Sequence, residues 1–270
     1  MKIILEGNLN DEKQAMSLSE IRGRMENNNQ AKEGILFIQS GVSEEGLEYL
    51  LKSGNTICFS LLFLLEHWNA VQKNKWQSSN YFYYDPLLMP IFPKLRQLLP
   101  GKKGVLRVRR TSGEKEKKYY VSDMVFLEEL FGPVRDPHFK TGKGDSPVSH
   151  LIVSFAVGEG TIAHYERTTA PYLKENVEFE FSFEGGVIYW NSENANPFLD
   201  LTVSDSAPWS DQDAVQAPRQ EGTLGIGFLK TPPPMETWAG QILEHARPLS
   251  DKTVASIERF HHLWTKGEKE

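Results

Sequence analysis

Apolar and polar residues change period along this chain, and the change predicts where helices and strands fall. The clearest pattern is 177–183, where Val177, Phe179, Phe181 and Phe183 alternate with Glu178, Glu180 and Ser182. A period of two is the mark of a strand with one buried face. Glu184-Gly185-Gly186 then leads into Val187-Ile188-Tyr189-Trp190, which predicts a hairpin. Residues 151–157 and 161–166 form a second pair around Gly158-Glu159-Gly160. Residues 105–110 and 119–121 read as a third pair around Ser112-Gly113, and 199–203 and 224–229 as further strands.

The helical period of about 3.6 governs both ends of the chain. Ser43 with Glu44-Glu45 reads as a cap and acidic first turn ahead of Leu47, Leu50 and Leu51. The longest apolar run, 57–65, is broken only by Ser60 and predicts a central helix from Thr56 to about Lys73. A short helix is expected at 94–99. Another begins at Pro234 with Met235, Trp238 and Ile242, and a last one is capped by Ser250 or Asp251. On that last helix Val254, Ile257, His261 and Trp264 share a face. Short strands are expected at 3–5 and 35–38. Residues 132–146 and 204–222 read as loops.

Strands and helices segregate along the chain, so the expected class is α+β. It comprises a helical N-terminal part, an antiparallel β-sheet or sandwich in the middle and two C-terminal helices. The division falls at 1–100 and 101–270, with one continuous domain as the alternative. The aromatic and proline-rich segment 81–100 would connect the parts.

Composition narrows the classes. The chain has 270 residues, 39% of them hydrophobic, and a single cysteine, which excludes a disulfide framework and a Cys-rich zinc site. The first acid, Glu6, follows only three consecutive apolar residues, short of the ~7–15 of a secretory leader. No apolar run approaches the ~20 residues of a membrane span. The expectation is a cytoplasmic protein without membrane contact.

The net charge of -6 is uneven. Between 102 and 118 stand eight basic residues against two acidic ones, a local +6 that leaves -12 for the remainder. Lys102, Lys103, Arg107, Arg109, Arg110, Lys117 and Lys118 are therefore candidate binding residues for a nucleic-acid backbone or an acidic protein surface. With Leu106 and Val108 turned to a core, Arg107 and Arg109 project together. Basic charges on an edge hairpin that discourage sheet-to-sheet pairing are the alternative.

The catalytic candidates are His164 and Glu166, which alternate on one strand and point the same way, with His138, His150 or Asp145 as helpers. Gly142-Lys143 is followed by Gly144 and has the wrong spacing and context for a phosphate-binding loop. Asp205, Asp211 and Asp213 do not follow the EF-hand pattern, and Cys58 lies in the most apolar stretch. No Rossmann, serine-elbow or zinc-protease motif occurs. No motif calls for a cofactor or a metal.

The reading of the sequence is thus a non-catalytic binding or assembly protein docking through the hairpin 102–118. A hydrolase or nuclease built on His164 and Glu166 is the alternative, which leaves enzyme status open. A scaffold subunit contacting a protein partner at 81–93 is the third reading.

Overall fold

The computed structural model describes residues 3–5, 35–38, 44–52, 56–73, 80–85, 88, 91–113, 117–143, 147–192, 202–203 and 246–267. The expected loop at 204–222, the strand at 224–229, the helix from Pro234 and Asp145 lie outside the described residues. The architecture is mixed α and β, and the chain divides into two compact units. Unit 1 is Met1–Asp85 with Pro233–Glu258, and unit 2 is Pro86–Pro232 with Arg259–Glu270.

Unit 1 holds the strands β1 (Ile3–Leu5), β2 (Ile35–Ile38), β3 (Thr56–Ser60), β4 (Asn80–Tyr83) and, late in the chain, the short β12 (Arg247–Pro248). They form one sheet in the order β1-β2-β3-β4-β12. The first four run parallel and only β12 is antiparallel. Parallel neighbours need crossovers. Helix α1 (Glu44–Lys52) supplies one between β2 and β3. Helices α2 (Leu61–Glu66) and α3 (Trp68–Lys73) supply the next, between β3 and β4.

The expectation of a helical N-terminal part is corrected here, as is the single helix from Thr56. Thr56, Ile57 and Phe59 are β-branched or aromatic and favour extended backbone. β3 pairs on both sides, to β2 and β4. A parallel strand covered on both faces shows an unbroken apolar run, which resembles a buried helix. Ile57, Cys58 and Phe59 are fully buried, and burial pushes the Cys58 thiol up to about 12, so it packs as an inert hydrophobe.

Unit 2 is built on a seven-stranded sheet. Its members are β5 (Gly104–Ser112), β6 (Val134–Lys143), β7 (Ser149–Val157), β8 (Thr161–Thr169), β9 (Asn176–Phe183), β10 (Gly186–Asn191) and β11 (Thr202–Val203). The order is β11-β10-β9-β5-β8-β7-β6. The hairpins β7–β8 and β9–β10 match the expectation. The sheet is mixed, because β5 runs parallel to β8 while pairing antiparallel with β9.

That double pairing explains a second correction. Residues 117–131 form helix α5 (Lys117–Phe131), not the return strand of a hairpin with β5. Both edges of β5 are taken, so Tyr119-Tyr120-Val121 has no backbone left to pair with. The segment coils instead, and every residue from Tyr119 to Leu127 is buried.

The supposed loop at 132–146 is also corrected, since most of it is β6. β6 is the outer strand of the order, where Pro137 is tolerated because its missing N–H faces no neighbour. The ladder slips between Arg135 and His138, and Asp136 there takes a positive φ of 50°. This is a bulge of the kind that blunts exposed sheet edges.

A short helix, α4 (Phe92–Leu98), precedes β5. The C-terminal helix α6 (Asp251–Gly267) has its first half in unit 1 and its second in unit 2. Ser250 Oγ accepts the Thr253 N–H at 3.2 Å, the cap that the sequence predicts. Among the described residues no helix is long and apolar enough to cross a membrane.

Candidate functional site

Alternation along the strands of unit 2 divides its side chains between two faces. On the inner face β5 turns Leu106, Val108, Arg110 and Ser112 toward the core, and β8 turns Ala163, Tyr165 and Arg167 the same way. Arg110 and Arg167 are register partners on the parallel pair, and both are 1% exposed. Asp123 of α5 meets Arg110 in a fork, with Nε and Nη2 donating to its two carboxylate oxygens at 2.7 and 2.6 Å. Tyr165 Oη donates to the same carboxylate at 2.8 Å.

Both guanidiniums lie near the Tyr119 ring, at 5.2 and 5.4 Å from its centroid, and Arg167 also lies 5.9 Å from Trp264. Burial lowers the Arg167 pKa, against the raising pull of Tyr165 and Asp123. Burial, reinforced by the Asp123 charge, drives the Tyr165 hydroxyl well above its ordinary range. That hydroxyl stays protonated and serves as a donor. The sequence does carry a trace of this cluster: Arg110 and Arg167 are charged residues standing in the apolar phase of their strands. Asp123 has no such signal, because only the helix α5 brings it to them.

The opposite face of the sheet is open and carries the sequence-predicted catalytic pair. His164 Nε2 lies 2.9 Å from Glu166 Oε1, and Ser154 Oγ of the neighbouring strand lies 3.3 Å from His164 Nδ1. A carboxylate only accepts, so Nε2 donates to Glu166, while the Ser154 hydroxyl faces Nδ1. Arg109 reaches Glu166 at 3.2 Å and Glu178 at 3.3 Å, and Asn191 donates to Glu178 at 3.1 Å. Arg107 lies 3.8 Å from Glu180. A chain of polar contacts thus spans β7, β8, β5, β9 and β10.

Partial burial pushes the Glu166 carboxyl up. The hydrogen bond and charge of His164, with the charge of Arg109, outweigh this and lower it. Desolvation pulls Arg109 down, but Glu178 and Glu166 together outweigh it and hold the guanidinium above its ordinary value. His150 Nδ1 lies 3.0 Å from Thr168 Oγ1, and His138 is exposed on β6. Neither hydrogen-bonds to the His164–Glu166 pair. Among the described residues no group of three or more His, Cys, Asp or Glu forms a metal site.

The basic stretch 102–118 does not act as one surface. Arg107 and Arg109 occupy the open face beside carboxylates, whereas Arg110 is buried on the other side. Lys102 Nζ sits 4.1 Å from the Phe183 ring centroid. The aliphatic stem of Lys103 lies where a Cβ on Gly160 would stand. Lys117 and Lys118 are on α5, Lys117 donating to Thr265 Oγ1 at 3.2 Å and Lys118 lying 5.6 Å from the Tyr119 ring.

No protein-family model matches the chain, and no curated protein matches it either. Solved structures do resemble it. A Gfo/Idh/MocA family oxidoreductase from Vibrio cholerae shares 12% identity over 93% of this chain and 83% of its own, with a TM-score of 0.49. The WlbA dehydrogenase from Bordetella pertussis, solved with NADH and UDP-GlcNAcA, shares 12% over 94% and 81%, also at 0.49. For an oxidoreductase from Magnetospirillum magnetotacticum MS-1 the figures are 12%, 68% and 64%, at 0.43. The chain thus spans a little under two thirds of that last protein's length. Similarity at this level transfers no residue role and no activity.

The reading as a non-catalytic docking or nucleic-acid-binding protein is therefore corrected. Its basic hairpin is a central strand plus a helix, with its arginines split between carboxylate partners and the core. The structures that the chain resembles are named oxidoreductases and dehydrogenases.

Proposed function

We propose that this chain is a small-molecule enzyme whose ligand sits at the carboxyl edge of the parallel sheet in unit 1. The observation that supports the reading is strand direction. β1 to β4 run parallel, so Leu5, Ile38, Ser60 and Tyr83 finish at one edge. Open α/β sheets take their ligands at that edge. β3 ends there on buried Ser60, and β4 runs on into buried Tyr84 and Asp85, which adds polar groups to an otherwise apolar layer.

Oxidoreduction is the chemistry to assay first, because the resembling structures carry that name. A nicotinamide dinucleotide does not fit the chain in the fingerprint manner. β1 is followed by Glu6-Gly7-Asn8-Leu9-Asn10, a single glycine where the phosphate turn uses three. β1 also ends the order of described strands, whereas the dinucleotide fold places its first strand inside the sheet. No step is written through that cofactor.

The test is a thermal-shift titration with NADH, NADPH and UDP-GlcNAcA, followed by hydrogen exchange on whichever binds. A ligand at ~100 times its Kd adds about 2.7 kcal/mol, which for a chain of this size is a rise of at least about 5 °C. Exchange protection is expected at 60–61 and 83–85. No shift with any of the three, or protection confined to unit 2, would sink the reading.

A further inference from the structure

Across the described residues of the five strands of the unit 1 sheet, one side chain is charged, and it is Arg247. Strand direction decides where that charge stands. β1 to β4 run parallel, whereas β12 runs against β4, so its first residue lies toward the carboxyl edge of the others. The register is fixed from both sides. Arg247 pairs with Phe82, one residue short of the end of β4, and Leu249 N donates to the Asn80 carbonyl at 2.8 Å. Ser250 then caps α6 through the Thr253 N–H. The backbone of Arg247 is held between a strand ladder and a capped helix.

The crossover helices do not bring a second cation there. Lys52 and Lys73 stand in the last turns of α1 and α3, ahead of β3 and β4, and so belong to the opposite edge. Where the parallel strands finish, Ser60, Tyr83 and Tyr84 are neutral and Asp85 is acidic. Arg247 is half-buried, with Nε and Nη2 out of water. A charge so placed is less screened than one in open solvent. Its planar fork of donors matches a phosphate or a carboxylate.

We infer that Arg247 recognises an oxyanion, phosphate or carboxylate, on the ligand of the unit 1 edge. The inference rests on the reading that a ligand sits at that edge, and it adds the chemical class. Asp85 disfavours a second negative charge beside the end of β4, so the oxyanion belongs on the β12 side. Arg247 and Asp85 also make contacts within the chain, and a bound anion competes with those for the guanidinium.

Thermal-shift titrations of the full chain with NADH, NADPH and UDP-GlcNAcA test it, with wild type set against Arg247→Gln and Arg247→Lys. A probe that shifts wild type is expected to need a roughly 10- to 100-fold higher concentration in Arg247→Gln, the weight of one hydrogen bond to a charged group. Arg247→Lys keeps the charge and loses the fork, so it falls between the two. Competition by inorganic pyrophosphate marks the held group as a phosphate, and competition by glucuronate marks it as a carboxylate. Circular dichroism checks folding. A wild-type response that Arg247→Gln leaves unchanged overturns the assignment alone, while the edge reading stands. Loss of folding in both variants also overturns it, by making Arg247 a structural residue. A wild type that responds to no probe sinks the edge reading, and the assignment with it.

Discussion

Arg110 and Asp123 meet fork to fork, two bonds of 2.7 and 2.6 Å, with both side chains almost wholly out of water. One residue belongs to the central strand of a sheet and the other to the helix packed on it. Charge removed from water is stable only where partners replace the solvent. Here they do, through the fork itself and through Tyr165.

Removing one half of this pair is therefore far more damaging than replacing both. Asp123→Ala is expected to cost about 3–5 kcal/mol, because it strands a buried guanidinium, whereas Arg110→Met with Asp123→Leu costs much less. Urea unfolding of the two variants side by side checks it. Equal losses would show that the pair is not what holds the helix to the strand.

Two glycines with positive φ separate strain from collision. Gly158 has φ 56°, and a Cβ there would stand 1.8 Å from the carbonyl oxygen of Phe131. Gly185 has φ 97° with nothing within 4 Å. Gly185→Ala should lose about 1–2 kcal/mol from backbone strain alone. Gly158→Ala must also displace the end of α5, so its melting temperature should fall several degrees further.

His261 predicts an acid-side loss of stability. Burial, with the Lys117 charge second, lowers its pKa to about 4. The folded form then holds the neutral ring while the unfolded chain protonates near 6.5. Stability from this group is complete above that value and declines as pH falls from about 6.5 to 4. After discounting for partial exposure, the loss is on the order of 1–3 kcal/mol. Melting curves of wild type and His261→Gln between pH 7 and 4 should converge at the acid end, and parallel curves would contradict it.

The exposed ion pairs of the open face predict the opposite scale. Arg107, Arg109 and their carboxylates are about a third to a half exposed. Arg107→Ala with Arg109→Ala should move the stability of the isolated chain by no more than about 1 kcal/mol per pair. Thermal melts in dilute solution give the measurement.

Some of this fold is legible in the residues alone, for local reasons. Hairpins β7–β8 and β9–β10 follow from alternation interrupted by glycine turns, and the start of α6 from Ser250 three residues before Thr253. The placement of His164 and Glu166 on one face follows from the period of two. Ser154 could not be assigned to them, because only the register of β7 on β8 brings it near.

What the chain determined by itself is the division of each strand into a buried and an open face, since side-chain direction is set by backbone geometry one residue at a time. Tertiary structure decided which segments became strands at all. Residues 56–60 extended because two neighbours offered backbone on either side, and residues 119–121 coiled because β5 had none to spare. It also decided what the charges do. Arg107, Arg109 and Arg110 are near neighbours in sequence, yet two bridge carboxylates in the open and one is sealed against Asp123. The physical reason is the same throughout: backbone hydrogen bonds and buried charges must find partners, and those partners lie on distant parts of the chain.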